Sequence, residues 1–374
     1  MSETAASQAI VDLDAYVHNL GVVRRFVGDQ AGIMAVVKAN AYGHGLETMA
    51  RKACDAGVRM LGVAAVDEGI ALRAAGVDTP ILVLMQPELK ALGAIIEHGL
   101  RLMVSDVATA EQLGEMARRA NRVVPVHCKV DSGMGRQGFP LKSAAQDLQY
   151  LTRISHIDIE GVATHFPVAD KLEDTFTYNQ IKTFRQLLKA VNRYGIPYEM
   201  AHAANSAAIV NYQGSIFDMV RPGLITYGVW PTEYPPAQNL LKPVLRWETH
   251  ITQIRELEAG ASVGYGRTYT APAPIKVALL PIGYADGYKH ALSNRGEVLI
   301  GGTRCPVRGS VCMDQIVAEV THLPNVQAGD VATLIGSDGE ETITAEELAR
   351  KAGTIPYDIL TGIGPRVPRV YTGG

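Results

Sequence analysis

Residues 36–45, VVKANAYGHG, decide the fold, because an apolar strand ends there and a lysine follows it. Residues 33–37 form a short apolar run, which is too brief for a helix and typical of a strand buried on both faces. Apolar residues at helical spacing resume at Leu46 and stop before Gly57. The pattern predicts that Lys38 lies at the carboxyl end of a strand, just before a strand-to-helix loop.

The surroundings of Lys38 predict a cofactor that carries an aldehyde and a phosphate. An amine that follows a buried strand can be desolvated, which disfavours its charged form and leaves a nucleophile for a carbonyl carbon. Gly43 and Gly45 allow backbone donors to approach a phosphate, and Tyr42 offers a hydroxyl donor. Pyridoxal phosphate has both groups. An isolated lysine after a strand is more often a solvated loop residue, so the prediction depends on the rest of the chain.

The composition indicates a globular protein rather than a nucleic-acid or membrane protein. The chain has 374 residues, of which 47% are hydrophobic and 20% charged, with a formal net charge of −3 and no basic block. It has neither an apolar run long enough to cross a bilayer nor a secretory signal at its amino terminus, which predicts a cytoplasmic enzyme. The four cysteines lack metal-ligand spacing, so we expect them to be reduced and expect no metal site.

Short apolar runs alternate with amphipathic helices between Gly32 and Tyr227, as in strand-helix units around a parallel sheet. Eight of these runs are predicted strands, and eight is the number that closes a TIM-type (β/α)8 barrel. The predicted strands are residues 33–37, 60–64, 81–84, 102–104, 123–130, 157–164, 198–202 and 217–220. We therefore predict an α/β barrel domain over residues 10–232.

Polar residues follow the predicted strands at their carboxyl ends, the barrel face that carries active sites. Each has a structural explanation by itself: Arg136 could be a solvated loop charge, and His165 a hydrogen-bonded core residue. The presence of so many polar residues at the same end of the predicted barrel indicates that they share a site. The residues are Lys38, Lys129, Arg136, His165, Asn205, Ser206, Arg221 and Gly223.

The pattern changes after the segment PTEYPPAQN, residues 231–239, whose three prolines predict a linker. Alternation with a period of two then replaces helical spacing, as in residues 245–251. The glycine pair at 301–302 predicts a hairpin turn, and a capping box that opens at Thr344 predicts one helix. We predict a C-terminal, mostly β-strand domain over residues 239–374.

VVKANAYGHG resembles the cofactor-lysine motif of the alanine racemase family, and eight further motifs extend this resemblance over residues 9–371. They are KVDSGMGR, THFPVAD, AANSAA, MVRPGL, GYGRTY, PIGYADGY, CMDQ and RVPRVY. One such motif is weak, but nine in order are specific. The resemblance implies a pyridoxal-phosphate-dependent racemase that interconverts L- and D-alanine and supplies D-alanine for peptidoglycan. It also implies that the first strand, near residues 9–12, joins the strand-rich domain.

Racemisation requires two opposed acid–base groups, one on each face of the substrate. Lys38 is one candidate. Tyr265, in GYGRTY, could simply be a packed tyrosine at a strand end, but it resembles the family residue that provides the opposite-face base from the other subunit. The resemblance therefore implies a homodimer with shared active sites.

Arg221 is the residue that bears on the type of reaction. The resemblance places its guanidinium opposite the pyridine nitrogen of the cofactor, where a hydrogen bond from arginine leaves that nitrogen unprotonated. The ring is then a weaker electron sink than it would be opposite a carboxylate, which would favour transamination or decarboxylation. The implied reaction is proton transfer without loss of other groups.

The resemblance also implies roles for the other motif residues. The residues implied for phosphate binding are Tyr42, Ser206, Gly223, Leu224 and Tyr357. Those implied for substrate binding include Arg136, which also contacts the phenolic oxygen of the cofactor, and Tyr284, which is implied to be a gate residue with Tyr357. Met313 and Asp314 are implied to belong to the segment of the partner subunit that lies near the substrate carboxylate. His165 is implied to link Arg221 and Tyr265 by hydrogen bonds.

Lys129 matches a lysine that is carbamylated in several family members, where the added carboxylate would neutralise and orient Arg136. The alternative is a plain ion pair between Lys129 and Asp131 or another carboxylate. Ser310 departs from some relatives, which have a charged residue at this point of the entrance corridor.

Several functions remain open from the sequence. A decarboxylase of basic amino acids has the same layout, but we expect a carboxylate at the pyridine nitrogen in such an enzyme. A non-catalytic barrel that binds pyridoxal phosphate would lack the strand-rich domain. Among racemases, serine or a broad set of amino acids could replace alanine as the preferred substrate.

Overall fold

The computed structural model describes residues 5–232 and 236–373, so residues 233–235 of the predicted linker lie outside the described residues. The chain divides into two compact units. One unit, the barrel unit, contains Val17–Ala41 and Leu46–Leu241. The other, the strand-rich unit, contains the described parts of Met1–Tyr16, Tyr42–Gly45 and Lys242–Gly374.

The barrel unit is a closed ring of parallel strands within the described residues. In chain order the eight barrel strands are Gly32–Val36, Met60–Val63, Ile81–Val83, Arg101–Val104, Val124–Asp131, Ile157–Ala163, Met200–His202 and Met219–Val220. Each pairs with its neighbours in the chain, and the eighth closes the ring on the first through the pair Met219 and Gly32. The eight predicted strands are confirmed, with ends that shift by two residues at most.

One right-handed helix precedes the first barrel strand and one follows each of the first seven, and their apolar residues recur every three or four positions. The helices are Leu13–Val27, Leu46–Asp55, Val66–Ala74, Leu92–Glu97, Val107–Arg119, Ala144–Leu151, Phe176–Arg193 and Ser206–Asn211. Phe176–Arg193, for example, buries Phe184 and Val191. Side-chain caps begin several of these helices; for example, Asp106 accepts a hydrogen bond from the amide of Thr109, and Asn205 accepts one from the amide of Ala208. Among the described residues, no helix is long and apolar enough to span a membrane.

The barrel interior contains a cluster rich in methionine. Its members come from seven of the eight barrel strands and are Met34, Met60, Leu82, Met103, Ala163, Met200 and Met219. Methionine is unbranched and fills irregular gaps, which suits the tapering centre of a small barrel. Apolar side chains from nearly all the barrel strands therefore pack together in part of the barrel interior.

The strand-rich unit is built on sheets whose strands are antiparallel, except for the parallel pair Ser7–Asp12 and Arg369–Thr372. In spatial order, the strands of its largest sheet are Thr303–Pro306, Glu297–Ile300, Val331–Asp338, Leu245–His250, Ser7–Asp12 and Arg369–Thr372, with Glu341–Ile343 paired to Val331–Asp338. A second sheet contains Gln253–Leu257, Ile275–Leu280 and Ile316–Glu319, and a two-stranded sheet pairs Ser262–Val263 with Tyr269–Thr270. The hairpin predicted at 301–302 is present, since Ile300 pairs with Thr303.

The strand-rich unit has two α-helices in its described part, where the sequence predicted one. Ala345–Ala352 is the predicted helix: Thr344 accepts a hydrogen bond from the amide of Glu347, and left-handed Gly353 ends it. Pro356–Gly362 was missed because it is only two turns long. It forms because Pro356 starts a helix well and because Ile359 and Leu360 are buried.

Residues 42–45 belong to the strand-rich unit, although the predicted barrel domain of residues 10–232 includes them. Gly43 explains this placement. Its carbonyl accepts a hydrogen bond from Arg369 Nε at 2.8 Å, and a Cβ added at Gly43 would lie 2.2 Å from the carbonyl oxygen of Leu360. Only glycine permits this close approach.

Candidate active site

Lys38 follows the first barrel strand, as predicted from the sequence. Burial is the main cause that lowers the pKa of Lys38 below its ordinary value. The positive charges of Arg136 and Arg221 also lower it, while Glu68 acts in the opposite direction. The neutral, nucleophilic form of the amine is therefore more accessible than in an exposed lysine.

The backbone after Lys38 makes a left-handed turn, where the sequence predicted an ordinary loop. Ala39, Asn40, Ala41 and Tyr42 have φ values of 53°, 54°, 52° and 54°. Local hydrogen bonds support the turn: Asn40 Oδ1 accepts from the amide of Leu46 at 2.8 Å, and Glu68 Oε1 accepts from the amide of Ala39 at 2.6 Å. Left-handed backbone is costly for residues with a Cβ, and such strain persists where the surroundings fix it.

Arg221 lies just after the eighth barrel strand and is only 6% exposed. Its Nη2 atom donates to the carbonyls of Thr164 and Ala203 at 2.8 and 2.9 Å and to His165 Nδ1 at 3.1 Å. Its Nη1 atom donates to His202 Nδ1 at 2.7 Å. Burial lowers the pKa of Arg221 to about 10, so the guanidinium stays charged at neutral pH.

His165 is brought into contact with Arg221, which was one of the two contacts that the sequence predicted for it. Burial, followed by the charges of Arg221 and Lys129, lowers the pKa of His165 well below its ordinary value. Because Arg221 donates to Nδ1, the neutral ring carries its hydrogen on Nε2. The predicted link from His165 to Tyr265 stays a prediction.

Lys129 is buried inside the barrel, with 4% of its surface exposed. Burial, followed by Arg221 and Arg136, lowers the pKa of Lys129 well below its ordinary value. The Asp131 carboxylate instead accepts backbone hydrogen bonds from Gly133, Met134 and Gly135. Within residues 5–232 and 236–373, Lys129 makes no ion pair with a carboxylate. The plain ion pair considered from the sequence is therefore not formed.

The segments that follow the seventh and eighth barrel strands are joined by hydrogen bonds to Ser206, and the second of these segments contains Gly223 and Leu224. Ser206 Oγ accepts hydrogen bonds from the amides of Gly223 at 2.9 Å and Ile225 at 3.4 Å. Both contacts use lone pairs of the oxygen, so the hydroxyl hydrogen can be donated to a ligand. Leu224 begins the short 3-10 helix Leu224–Tyr227.

In the strand-rich unit, the two tyrosines implied for phosphate binding lie side by side. The ring centroids of Tyr42 and Tyr357 are 5.9 Å apart, with the planes tilted by 44°. Burial, and then the neighbouring Tyr357, raise the pKa of Tyr42, so its phenol remains a hydrogen-bond donor at neutral pH. Tyr357 lies on Pro356–Gly362, the helix that the sequence did not predict.

Three motif segments also meet in the strand-rich unit. Ser310 Oγ donates to the carbonyl of Tyr265 at 2.9 Å, and the amide of Tyr284 donates to the carbonyl of Cys312 at 3.0 Å. A Cβ added at Gly283 would lie 2.3 Å from the carbonyl oxygens of Cys312 and Met313, so the contact requires glycine. The segments around Tyr265, Tyr284 and Met313 are thus packed together.

The side chains in these segments differ in exposure. Tyr265 is 77% exposed and lies between two glycines with positive φ, Gly264 and Gly266. Met313 is also exposed. Asp314 Oδ1 pairs with Arg366 Nη1 at 2.7 Å. Arg366 was not predicted as a site residue, although it lies in the motif RVPRVY.

The sequence reasoning missed a second set of polar residues inside the barrel. His127, Glu160 and His202 are buried, and Arg101 contacts Glu160 at 2.7 Å. The signal available was the presence of charged and imidazole side chains inside strands that are otherwise apolar.

The donors of the barrel unit fit an aldehyde cofactor with a phosphate and an aromatic ring nitrogen. Lys38 supplies a desolvated amine, Ser206 supplies a hydroxyl hydrogen, and Arg221 supplies a charged donor. Together with the closed parallel barrel and the separate strand-rich unit, they define a barrel enzyme that can bind such a cofactor through a lysine.

Comparison with known proteins identifies the family. Residues 11–231 match the family model "Alanine racemase, N-terminal domain", and residues 244–371 match "Alanine racemase, C-terminal domain". The chain belongs to the alanine racemase family. The predicted family and the predicted fold class, a (β/α)8 barrel followed by a mostly β-strand domain, are confirmed.

Relatives match over nearly the whole chain. A protein named alanine racemase from Halothermothrix orenii is 41% identical over 98% of this chain and 97% of its own length. A solved alanine racemase from Bacillus anthracis with bound L-Ala-P is 34% identical, with a TM-score of 0.93 over 100% of this chain and 96% of that one. Another, from Bartonella henselae with covalently bound pyridoxal phosphate, is 30% identical, with a TM-score of 0.88 over 98% of this chain and 100% of that one.

Proposed function

We propose that this chain interconverts L- and D-alanine, with pyridoxal phosphate held covalently by Lys38. Family membership carries the activity and the cofactor, and it confirms the prediction of a pyridoxal-phosphate-dependent isomerase. The observation that supports these particular residues is the desolvated amine of Lys38 in the same barrel as the charged, buried Arg221. We further propose that the enzyme supplies D-alanine for peptidoglycan in the cytoplasm.

In this proposal, the barrel unit holds the ring and phosphate of the cofactor. Ser206 would donate its hydroxyl hydrogen to the phosphate, and so would the backbone amide of Leu224. The amide of Gly223, which donates to Ser206 Oγ, would share its hydrogen between that oxygen and the phosphate. Arg221 would face the ring nitrogen and donate to it. Its Nη1 and Nη2 atoms already donate to two carbonyls and two imidazoles, so its orientation is set before the cofactor binds. Tyr42 and Tyr357 of the strand-rich unit would add phenolic donors to the phosphate.

The proton transfer would use Lys38 on one face of the substrate and Tyr265 on the other. Bound pyridoxal phosphate would supply an electron-withdrawing ring that accepts the charge left when the α-proton is removed. The lowered pKa of Lys38 increases the fraction of neutral amine that can accept this proton near neutral pH. Arg221 keeps its own proton, which argues against the decarboxylase alternative because that reaction favours a protonated ring nitrogen.

Arg136 is proposed to bind the substrate carboxylate, with Met313 and Asp314 of the partner subunit near that carboxylate and Tyr284 at the entrance. The carboxylate of Asp314 is already paired with Arg366. Because this ion pair holds the Asp314 side chain in place, we assign the contact with substrate to the backbone of Met313 and Asp314.

We propose that Lys129 is carbamylated. Burial lowers the pKa of its amine well below the ordinary value, which increases the neutral fraction, and a neutral amine can attack carbon dioxide. The nitrogen forms a bond to the carbon of carbon dioxide and releases one proton, which leaves a carboxylate on the side chain. That carboxylate would sit among Arg221 and Arg136, the cations that lower the pKa of Lys129. A mass measurement on native protein without a carbon dioxide adduct at Lys129 would contradict the proposal.

We also propose a homodimer in which Tyr265 of the partner subunit completes each site. The support is the 77% exposure of Tyr265, the largest exposed fraction among the large hydrophobic side chains that the structure describes. Exposed tyrosines are common at interfaces because they bury a large apolar area and retain a polar tip.

The experiment that tests the activity is polarimetry of the purified holoenzyme with a panel of L-amino acids, in which ketoacid and carbon dioxide release are followed together. We expect the optical rotation of L-alanine to fall to zero with no ketoacid and no carbon dioxide. Carbon dioxide release from a basic amino acid without racemisation of alanine would overturn the proposal. A faster rate with serine than with alanine would reassign the preferred substrate.

A further inference from the structure

A continuous chain of hydrogen bonds runs through the barrel interior to Arg221. Arg101 Nε donates to Glu160 Oε2 at 2.7 Å, and His127 Nε2 lies 2.8 Å from the same oxygen. His127 Nδ1 lies 2.7 Å from His202 Nε2, and His202 Nδ1 lies 2.7 Å from Arg221 Nη1. Arg101 is the first residue of the fourth barrel strand and Arg221 follows the eighth, so the chain runs from the amino end of the barrel to its carboxyl end.

The arginine at one end of this hydrogen-bond chain and the carboxylate near the other fix which nitrogen of each imidazole carries its hydrogen. Arginine can only donate, so His202 must accept at Nδ1 and carry its hydrogen on Nε2. His127 must then accept at Nδ1 and carry its hydrogen on Nε2, which points at Glu160. An ionised carboxylate can only accept, so the arrangement ends there without conflict. The opposite direction would set a hydrogen of His202 against a hydrogen of Arg221.

The protonation states agree with this arrangement. Burial lowers the pKa of His127, and it lowers the pKa of His202 well below the ordinary value, so both rings are neutral. Burial alone would raise the pKa of Glu160, but hydrogen bonds from His127 and Arg101 bring it to about 2. The hydrogen-bond chain therefore contains one carboxylate and two neutral imidazoles, with an arginine at each end.

The backbone is built to accommodate the ring of His127. A Cβ added at Gly161, on the sixth barrel strand, would lie 2.4 Å from His127 Nδ1. Any residue larger than glycine at this position would therefore displace the ring. The pairing of the fifth and sixth strands also shifts register between Val126 and His127. A shift of this kind re-aims a side chain, and such shifts are frequent beside active sites.

We infer that Glu160, acting through His127 and His202, is a positioning residue for Arg221. The carboxylate accepts the hydrogen of His127 Nε2 and thereby stabilises the one direction of hydrogen bonding in the imidazole pair that Arg221 also requires. In this direction His202 Nδ1 accepts a hydrogen bond from Arg221 Nη1, which holds the charged guanidinium in one orientation. The inference rests on the proposed role of Arg221 opposite the ring nitrogen of the cofactor, but the hydrogen positions can be tested independently of that role.

The first test is nitrogen-15 NMR of the purified holoenzyme with labelled histidine. The resonances of His127 and His202 are assigned from the single variants His127→Gln and His202→Gln. We expect both rings to be neutral, with the hydrogen on Nε2. A hydrogen on Nδ1 of either ring, or a doubly protonated ring, would overturn the inference even if the enzyme racemises alanine. Failure of the wild-type protein to racemise alanine would instead count against the proposed function.

The second test compares Glu160→Leu with Glu160→Gln. Leucine removes the acceptor for His127, so we expect kcat to fall about tenfold while KM for alanine changes less than about twofold. The amide oxygen of glutamine can still accept from His127, so Glu160→Gln should recover most of the lost kcat.

The matched control is Glu248→Leu in the strand-rich unit. Glu248 has the same side-chain exposure as Glu160, 9%, and is likewise paired with an arginine, Arg246, at 2.9 Å. Equal loss of kcat in Glu160→Leu and in this control would mean that Glu160 acts only through stability. Equal kcat in Glu160→Leu and the wild-type enzyme would also refute the positioning role. If Glu160→Leu does not fold, the NMR result decides the inference.

Discussion

Replacement of Ala39 by glycine should stabilise the protein, although glycine normally weakens a helical segment. Ala39 has φ and ψ of 53°, in the left-handed region. A left-handed conformation costs a residue with a Cβ about 1–2 kcal/mol. Glycine removes that cost, but it increases the freedom of the unfolded chain, which offsets about 0.5–1 kcal/mol. The free energy of unfolding should therefore rise by about 0.5–1 kcal/mol.

Ala71 provides a matched control for the same substitution. It lies in the right-handed helix Val66–Ala74, and its side chain is exposed, as is that of Ala39. Ala71→Gly should lower the free energy of unfolding by about 1 kcal/mol, the ordinary difference between alanine and glycine in a helix. The two variants should thus differ by about 1.5–2 kcal/mol, with opposite signs relative to the wild type.

Equilibrium urea unfolding, followed by circular dichroism on the three proteins in parallel, measures the difference. The dependence of the free energy on urea must have the same slope in all three, because a changed slope indicates a changed unfolded state. In a thermal scan, each kcal/mol corresponds to about 2–4 °C for a unit of this size. If Ala39→Gly loses as much stability as Ala71→Gly, the turn after Lys38 is not left-handed and the reasoning fails.

Lys38→Ala should abolish the visible absorption of the bound cofactor, because no amine remains to bond to its aldehyde carbon; a borohydride-reducible bond at another lysine would contradict this assignment. Tyr265→Ala should slow solvent-deuterium exchange at the α-carbon of one alanine enantiomer far more than of the other, and equal losses would contradict a two-base scheme. An equal mixture of inactive Lys38→Ala and Tyr265→Ala chains should recover about a quarter of wild-type activity, since half of the dimers are mixed and each has one intact site; no recovery after proven subunit exchange would favour sites built within one chain. Because folding lowers the pKa of Lys129, the unfolded chain binds more protons at any pH between the lowered pKa and the ordinary value of 10.5, so stability should rise with pH across that window in carbon-dioxide-free buffer. Lys129→Met should reduce this rise in urea unfolding and leave the part that comes from Lys38, whose pKa is also lowered in the folded protein; an unchanged pH dependence would place the origin of the rise elsewhere.

The barrel could be predicted from the sequence because its strands are buried on both faces. Such strands are short apolar runs, and their number, spacing and alternation with helices define a closed parallel sheet. The residues at the carboxyl ends of the strands could be predicted for the same reason. The architecture assigns one face to all of them, so Ser206 and Gly223 are indeed hydrogen-bonded.

Local conformation after Lys38 could not be predicted in the same way. Residues 39–42, ANAY, contain no glycine, which is the usual signal for left-handed backbone. The turn forms because neighbouring groups fix it, such as the Glu68 carboxylate, which accepts the hydrogen bond of the Ala39 amide. The carboxylate comes from the next strand-helix unit, so its effect appears only once the fold has brought the two segments together.

The buried hydrogen-bond chain to Arg221 could not be predicted from the sequence either, because its contacts also form only after folding. His127, Glu160 and His202 lie on three different strands, and their contacts depend on how those strands are registered against one another. A shift of one residue would turn each side chain to the opposite face of the sheet. Alone, each residue looks like a polar group in an apolar strand, which is costly unless it finds a partner. Taken together, they form an arrangement in which the donor-only arginine and the acceptor-only carboxylate leave a single hydrogen-bonding pattern, and this pattern can be read only from the three-dimensional structure.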